Sequence, residues 1–489
     1  MSDCTQEKVS ESHDSCYTYG TGGVTQLQAF GNQDANYLNG KGVNFFDKGN
    51  IQHTYFNLVY NSYVAANNGD PTWPFRGQAV QFKLDPKVSG DLLGNVFLKL
   101  TMPALPVGND AGQPDIVPPY PPKPFSYCDR LGYAILDKIT MSVNGEIIDT
   151  VWADWLVIQN EVYADDSIRR ATDSIINAGL VEGDSLSVNP VTAQKEIPLY
   201  IPLTFFFCRN HYHTTTKVNT FKPFFYTCAA LEQEILFTVF FKEQAFFTNY
   251  TAEPLRVEKI FLITEEIVLT RAERNYYRQN HITSVVDAID IQPKLDMDEQ
   301  PGQEVNQDTR EFPDTFKDFL VCNRPVKALH FFLRRYNYET DMRLPFWQYR
   351  MDFSSMAENP AFDHPFPLDI DYDVYKEDAN QVLEEAALLV LNESRYSESS
   401  AGYIKNITTI THGLNPPIRN IYNYSFAIHP KDPVPNGSVN FAQLQSGSTI
   451  LSGRANFIST QAHNYIVNLF YVANKIIEYD NGFVRTRFM

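Results

Sequence analysis

Short runs in which apolar and polar residues alternate one for one recur along the chain. That period of two places one face of a strand against a core and the other against solvent. Val80, Phe82 and Leu84 alternate with Gln81 and Lys83, and Val96, Leu98, Leu100 and Met102 alternate with Phe97, Lys99 and Thr101. Ile139, Met141 and Val143 alternate with Lys138, Thr140 and Ser142 and run into Asn144-Gly145. Both residues of that pair accept positive φ at low cost, which predicts a tight antiparallel hairpin. Ile235 to Phe241 is nearly all apolar, as expected of a strand covered on both faces. Further strands are expected at Ile197 to Phe207, Val257 to Ile263, Val326 to Leu333, Ser425 to Ile428 and Tyr465 to Ile477. Asp480-Asn481-Gly482 then turns into a short final strand.

Helical signals are few. Trp155, Ile158 and Val162 recur at i, i+3 and i+7 and predict one apolar helix face. Ala, Leu and Glu dominate Asn380 to Leu391, which predicts a second helix. Residues 164–190 read as a polar loop. Residues 103–127, with Pro118-Pro119-Tyr120-Pro121-Pro122, read as extended polyproline. Residues 336–378 are aperiodic and rich in aromatics, Pro and Asp, and a loop of that length suggests an interaction role. No fixed repeat of about 20 to 50 residues is present.

A chain of 489 residues is too long for one ordinary core. The strand pattern pauses at Asn249 to Pro254, so the expected division is an N-terminal arm at 1–24, a first block at 25–252 and a second at 253–489. About sixteen short strands in two blocks must protect their open edges, and two sheets folded face to face do so. The expected fold is therefore all-β: two tandem eight-stranded jelly-roll barrels, a double jelly roll, with short helices and long loops. Three two-lobed copies around an axis would make a nearly hexagonal tile closed by heterologous contacts. Each such contact is expected to exceed about 2,000 Å².

Composition sharpens this reading. Hydrophobic residues make up 43% and aromatics 14%, enough to fill two cores, and the 35 Phe and 28 Tyr favour pleated surfaces. A formal net charge of −18 repels phosphate backbones, so direct nucleic-acid binding is not expected, and the same charge keeps an abundant protein soluble. The six cysteines, Cys4, Cys16, Cys128, Cys208, Cys228 and Cys322, form no C-x-x-C pair and read as free thiols of a reducing compartment. The polar, acidic first 25 residues do not resemble a signal peptide, and no run of about 18 apolar residues occurs.

Candidate chemistry is sparse. His211 and His213 form an H-x-H with no carboxylate nearby, so a metal site is not expected. The acidic pairs Asp165-Asp166, Glu265-Glu266 and Glu384-Glu385 are adjacent in sequence, and adjacent strand residues face opposite ways, unlike the facing carboxylates of a glycosidase. Gly20-Thr21-Gly22 lacks the third glycine of a nucleotide loop, and no G-x-S-x-G elbow is found. No catalytic residue, metal or cofactor is expected, and the chain does not read as an enzyme. Five N-x-S/T sequons occur. Asn249, Asn392, Asn406 and Asn436 are candidate glycan acceptors, whereas Asn423 falls in an expected strand.

The segment Gly22-Gly23-Val24-Thr25-Gln26-Leu27-Gln28-Ala29-Phe30-Gly31-Asn32-Gln33-Asp34, with Tyr37-Leu38-Asn39-Gly40 and Val43-Asn44-Phe45-Phe46, resembles the opening of the major capsid proteins of nucleocytoplasmic large DNA viruses. The likeness continues through Leu136 to Asp149 with Asp154-Trp155, Ile197 to Phe207, Val257 to Glu265, Asn423 to Pro430, Pro435 to Phe441 and Tyr465 to Ile477. It implies a double jelly roll that self-assembles as a homotrimeric, pseudo-hexagonal capsomer of an icosahedral capsid. It also implies contacts with neighbouring capsomers, minor capsid proteins and an inner viral membrane, residence in the virion, and assembly in a cytoplasmic virus factory. The alternatives are a minor capsid or scaffold protein of the same fold, or a carbohydrate-binding double β-barrel protein.

Overall fold

The computed structural model describes residues 53–65, 79–108, 130–177, 193–209, 223–292, 315–335, 383–417, 420–455 and 465–487, with isolated gaps, and short stretches around Trp73, Tyr127 and Leu295. The expected arm at 1–24, His211, His213, Asn249, Asn392 and the segments 109–124 and 336–378 lie outside the described residues. Tyr55–Met489 form one compact unit.

The first eight strands are β1 (Phe56–Val64), β2 (Val80–Leu84), β3 (Leu92–Met102), β4 (Leu136–Val143), β5 (Glu146–Trp152), β6 (Ile197–Leu203), β7 (Ile235–Phe241) and β8 (Ile260–Leu269). They pair antiparallel as two four-stranded sheets, β1-β8-β3-β6 and β2-β7-β4-β5. This order is that of a jelly roll: the chain wraps as paired strands that alternate between the two sheets. The alternations read from sequence are the inward faces. Val80, Phe82, Leu84, Val96, Leu98, Leu100, Met102, Ile139, Met141 and Val143 are all buried. The β4–β5 hairpin turns at Asn144 and Gly145, with φ of 49° and 85°, the two positive values that match the twist of the flanking strands.

The remaining strands are β9 (Ile282–Ile291), β10 (Leu295–Asp296), β11 (Thr315–Phe319), β12 (Pro325–Arg335), β13 (Leu383–Val390), β14 (Glu393–Ser394), β15 (Tyr422–Ser425), β16 (Val439–Asn440), β17 (Thr449–Ala455), β18 (Tyr465–Asp480) and β19 (Phe483–Arg487). Strands β9 and β10 lie in succession along β18, and the sheet continues β18-β12-β15, with β16 and β19 at its margins. The facing sheet is β11-β17-β13-β14. With β9 and β10 taken together, the order repeats that of the first barrel strand for strand.

Four expectations are corrected. First, the sequence reading opens the second block with Val257 to Ile263, but β8 is hydrogen-bonded between β1 and β3 and completes the first barrel. The pause in pattern before β8 is a loop within that barrel, because the last strand of a jelly roll returns to lie beside the first. Second, the helix expected at Asn380 to Leu391 is strand β13, paired with β17. Helix propensity is a weak prior, and here Leu383, Ala386, Leu388 and Val390 supply an inward face that outweighs it. Third, the expected loop at 164–190 contains a helix, Asp166–Ile175, none of whose residues is buried, so it leaves no apolar stripe to read. Fourth, the strand expected at Ser425 to Ile428 is instead Tyr422–Ser425, ended by the Ser425 hydroxyl bonding to the Ala427 backbone.

Candidate functional site

The surfaces through which the barrels meet, and those they leave open, are the chemistry this chain offers. Strands β12 and β18 form the seam. One face of each fills the second core, through Val326, Leu329, Phe331, Leu333, Leu469, Tyr471 and Ala473. The other face, through Ala328, Phe332, Phe470 and Val472, joins the core of the first barrel. Covering on both sides explains why these segments read as almost unbroken apolar runs. Each fully buried Phe or Tyr contributes roughly 1.5–3 kcal/mol, so the seam is a substantial part of the fold.

The first barrel meets this face with the helical segment after β5. Its apolar positions Trp155, Leu156, Val157 and Ile158 are buried all round, and the helix Ala153–Ile158 widens into a π turn at Gln159–Tyr163. Trp155 packs on His330 and Phe470, with ring centroids 5.7 and 6.3 Å apart. The Tyr163 hydroxyl lies 2.8 Å from His330 Nε2, and His330 Nδ1 lies 2.5 Å from Asn423 Oδ1. Asn423 uses its Nδ2 toward Thr409 Oγ1, at 2.9 Å. Its Oδ1 therefore accepts, His330 Nδ1 carries the proton, and Nε2 accepts from Tyr163. Burial pushes His330 down to about 4, so the ring is neutral.

Polar side chains tie the seam at fixed points. Lys327, fully buried, reaches Asp287 Oδ1 and the Asp432 carbonyl, both at 2.9 Å. Arg209 of the first barrel approaches the same Asp287 at 3.8 Å. Lys475 donates to the Ile148 carbonyl at 2.6 Å, and burial holds its ammonium below the usual lysine range. Asp149, beside Arg209 and Lys475, accepts from the Phe206 and Thr150 amides; burial raises it above the usual carboxylate range, and Arg209 opposes the rise. Strand β19 is fastened by the Val484 amide donating to Gln233 Oε1 at 2.5 Å and the Thr486 amide donating to Glu146 Oε1 at 3.0 Å.

The acidic pairs serve the fold. Glu265 and Glu266 face opposite sides of β8. Glu265 accepts from the Asn95 amide and side chain at the bulge in β3. Glu266, buried, accepts from the Gly90 amide, Asn61, Tyr63 and Thr264 at 2.6–2.8 Å. Asp166 pairs with Arg169 at the start of its helix, and Glu384 pairs with Arg454 across strands. Among the described residues, no group of three or more His, Cys, Asp or Glu could hold a metal ion, and no helix is long and apolar enough to cross a membrane. Cys128, Cys208, Cys228 and Cys322 are buried, and the Cys208 thiol donates to the Gly94 carbonyl at 3.4 Å.

Of the sequon residues, Asn406 is exposed in the turn Tyr403–Ile407, but the hydroxyl of its sequon Thr408 bonds to the Ile404 and Asn423 carbonyls. Asn436 is half-buried and bonded both ways to the His429 backbone. Asn423 is buried in β15. Sequence reasoning passed over the seam residues. The available signal was a Lys and a His inside an apolar run, Val326-Lys327-Ala328-Leu329-His330-Phe331, which implies that the second face is covered too.

Residues 77–218 match a family described as the major capsid protein N-terminus, and residues 273–483 match the large eukaryotic DNA virus major capsid protein family. The two matches together take in well over half of the chain. The chain belongs to the large DNA virus major capsid protein family. Among relatives of this family, the major capsid protein of Phaeocystis pouchetii virus is 23% identical over 510 residues, covering 87% of this chain and 92% of that protein. Probable capsid protein 4 of Acanthamoeba polyphaga mimivirus is 26% identical over 194 residues, covering 39% of this chain and only 33% of that protein. The fold resembles a chain of the PBCV-1 virus capsid, with TM-score 0.65, 15% identity and coverage of 91% and 100%. It also resembles the Faustovirus major capsid protein, with TM-score 0.59, 12% identity and coverage of 93% and 96%. This family membership accords with the two barrels of like strand order welded through one seam.

Proposed function

We propose that this chain is the structural subunit of an icosahedral viral shell and acts by association rather than catalysis. The observation that carries this reading is the duplicated jelly roll. One chain presents two barrels of the same strand order, so three copies would present six similar lobes and tile a flat facet as pseudo-hexagonal trimers. The division between barrels belongs in the helix Arg271–Gln279 that follows β8, with strands β1 to β8 in the first barrel. Residence in the capsid follows from this role, and the neighbours of a trimer would be other trimers, minor capsid proteins and an inner membrane. Assembly in a cytoplasmic factory belongs to the same reading. Among the described sequon residues, Asn406 is the side chain with the best access for a glycan.

Sedimentation of the purified full chain tests the proposal: the expected mass is three times 55.9 kDa. A chain that stays monomeric across micromolar concentrations would reject it. Copy number in purified virions separates a major shell protein from a minor protein or scaffold of the same fold, and a glycan array separates both from a carbohydrate binder.

A further inference from the structure

The two barrels differ in what covers the outer face of their equivalent sheets. In the second barrel that face, with Ala328, His330, Phe332, Phe470 and Val472, is covered by the first barrel. In the first barrel the equivalent face lies on β1-β8-β3-β6. There Phe56, Leu58, Tyr60 and Val64 are 56%, 41%, 63% and 57% exposed. The pairing register carries the patch inward from this edge. Val64 lies opposite Phe261, and Ser62 lies opposite Ile263, which is itself opposite Phe97. Phe261, Ile263 and Phe97 are half-buried. The face is mainly apolar, with Ser62, Glu265 and Lys99 among its apolar residues, and such a face on an edge strand is the type of surface that associates.

The covering element is duplicated as well. In the first barrel it is the helical segment between β5 and β6, which includes a π turn. In the second barrel the segment between β14 and β15 has a π turn, Tyr403–Ile407, running into the helix Thr408–Thr411. The first segment buries Trp155 and Tyr163 at the seam. On the second, Ile407 and Ile410 are three residues apart on one side of the helix and are 49% and 59% exposed. Among the described residues, the chain thus carries an exposed sheet face and a second helical segment with exposed apolar side chains, at positions related by the internal repeat.

Resting on the reading that the chain self-associates, we propose that the segment Tyr403–Thr411 of one copy seats Ile407 and Ile410 on the β1-β8-β3 outer face of the next copy. The barrel-on-barrel contact made once inside the chain is then made again between chains. Such a contact joins unlike surfaces, and a ring of three copies would contain six versions of it.

The test uses full-length Tyr60→Glu and Ile410→Glu chains, each introducing a charge at an exposed position, followed by sedimentation velocity. The wild type is expected as a trimer and each variant alone as a monomer. An equimolar mixture is expected to give a two-chain species, because Ile410 of the first variant still meets Tyr60 of the second. That recovery also establishes that both variants fold. Variants that remain trimeric would overturn this inference while leaving the shell reading intact, and the face would then belong to another partner. Monomeric variants that recover nothing on mixing would also overturn it, because the contact would join like surfaces. A wild type that never associates would remove the shell reading and this inference together.

Discussion

Tyr163 and His330 are 167 residues apart in sequence, and the hydrogen bond between them, 2.8 Å from Oη to Nε2, joins one barrel to the other. It forms only while the imidazole is neutral at Nε2. His330 is therefore where acid acts on the seam.

His330 has a folded value of about 4 against an unfolded value of 6.5. Above pH 6.5 both states are neutral, and the group has no effect on stability. Below it the unfolded chain takes up a proton that the folded chain refuses, so stability is lost as pH falls from 6.5 toward 4, at about 1.4 kcal/mol per pH unit. Urea unfolding at pH 7 and pH 4.5 is expected to show the wild type losing about 3 kcal/mol more than His330→Gln.

Lys327→Met should be among the most costly single changes at the seam. It leaves Asp287 buried with only Arg209, at 3.8 Å, for compensation. Breaking a buried pair from one side costs about 3–5 kcal/mol, whereas replacing both partners with apolar groups is often near neutral. Thermal unfolding should therefore show Lys327→Met with Asp287→Leu to be more stable than Lys327→Met alone.

Glu266→Leu removes the acceptor shared by Gly90, Asn61, Tyr63 and Thr264. Stranded buried donors cost about 1–3 kcal/mol each, discounted where water reaches them. Two of these donors lie on β1, which among the described strands is an edge strand paired with β8 alone. Hydrogen exchange should show β1 amides losing protection before those of β3.

Two glycines with positive φ separate conformational from steric cost. At Gly145, φ +85°, an added Cβ would meet nothing within 4 Å, so Gly145→Ala should cost about 1 kcal/mol. At Gly437, φ +144°, it would lie 2.7 Å from the Phe426 carbonyl oxygen and 3.0 Å from Ala427 Cα. Gly437→Ala should cost visibly more in the same thermal-unfolding assay.

Local patterning determined much of this protein. The alternations at Val80–Leu84, Val96–Met102 and Ile139–Val143 are inward faces, and Asn144-Gly145 makes the hairpin it predicts. These features depend on a strand's own period and on backbone sterics, which neighbouring residues carry. Tertiary structure decided which sheet β8 joins, why Leu383–Val390 is a strand despite its helix-forming residues, and why Lys327 and His330 are tolerated inside an apolar strand. Each of those depends on partners 40 or more residues away. The free energy that settles them comes from covering a second face, and a sequence period cannot say which surface will do the covering.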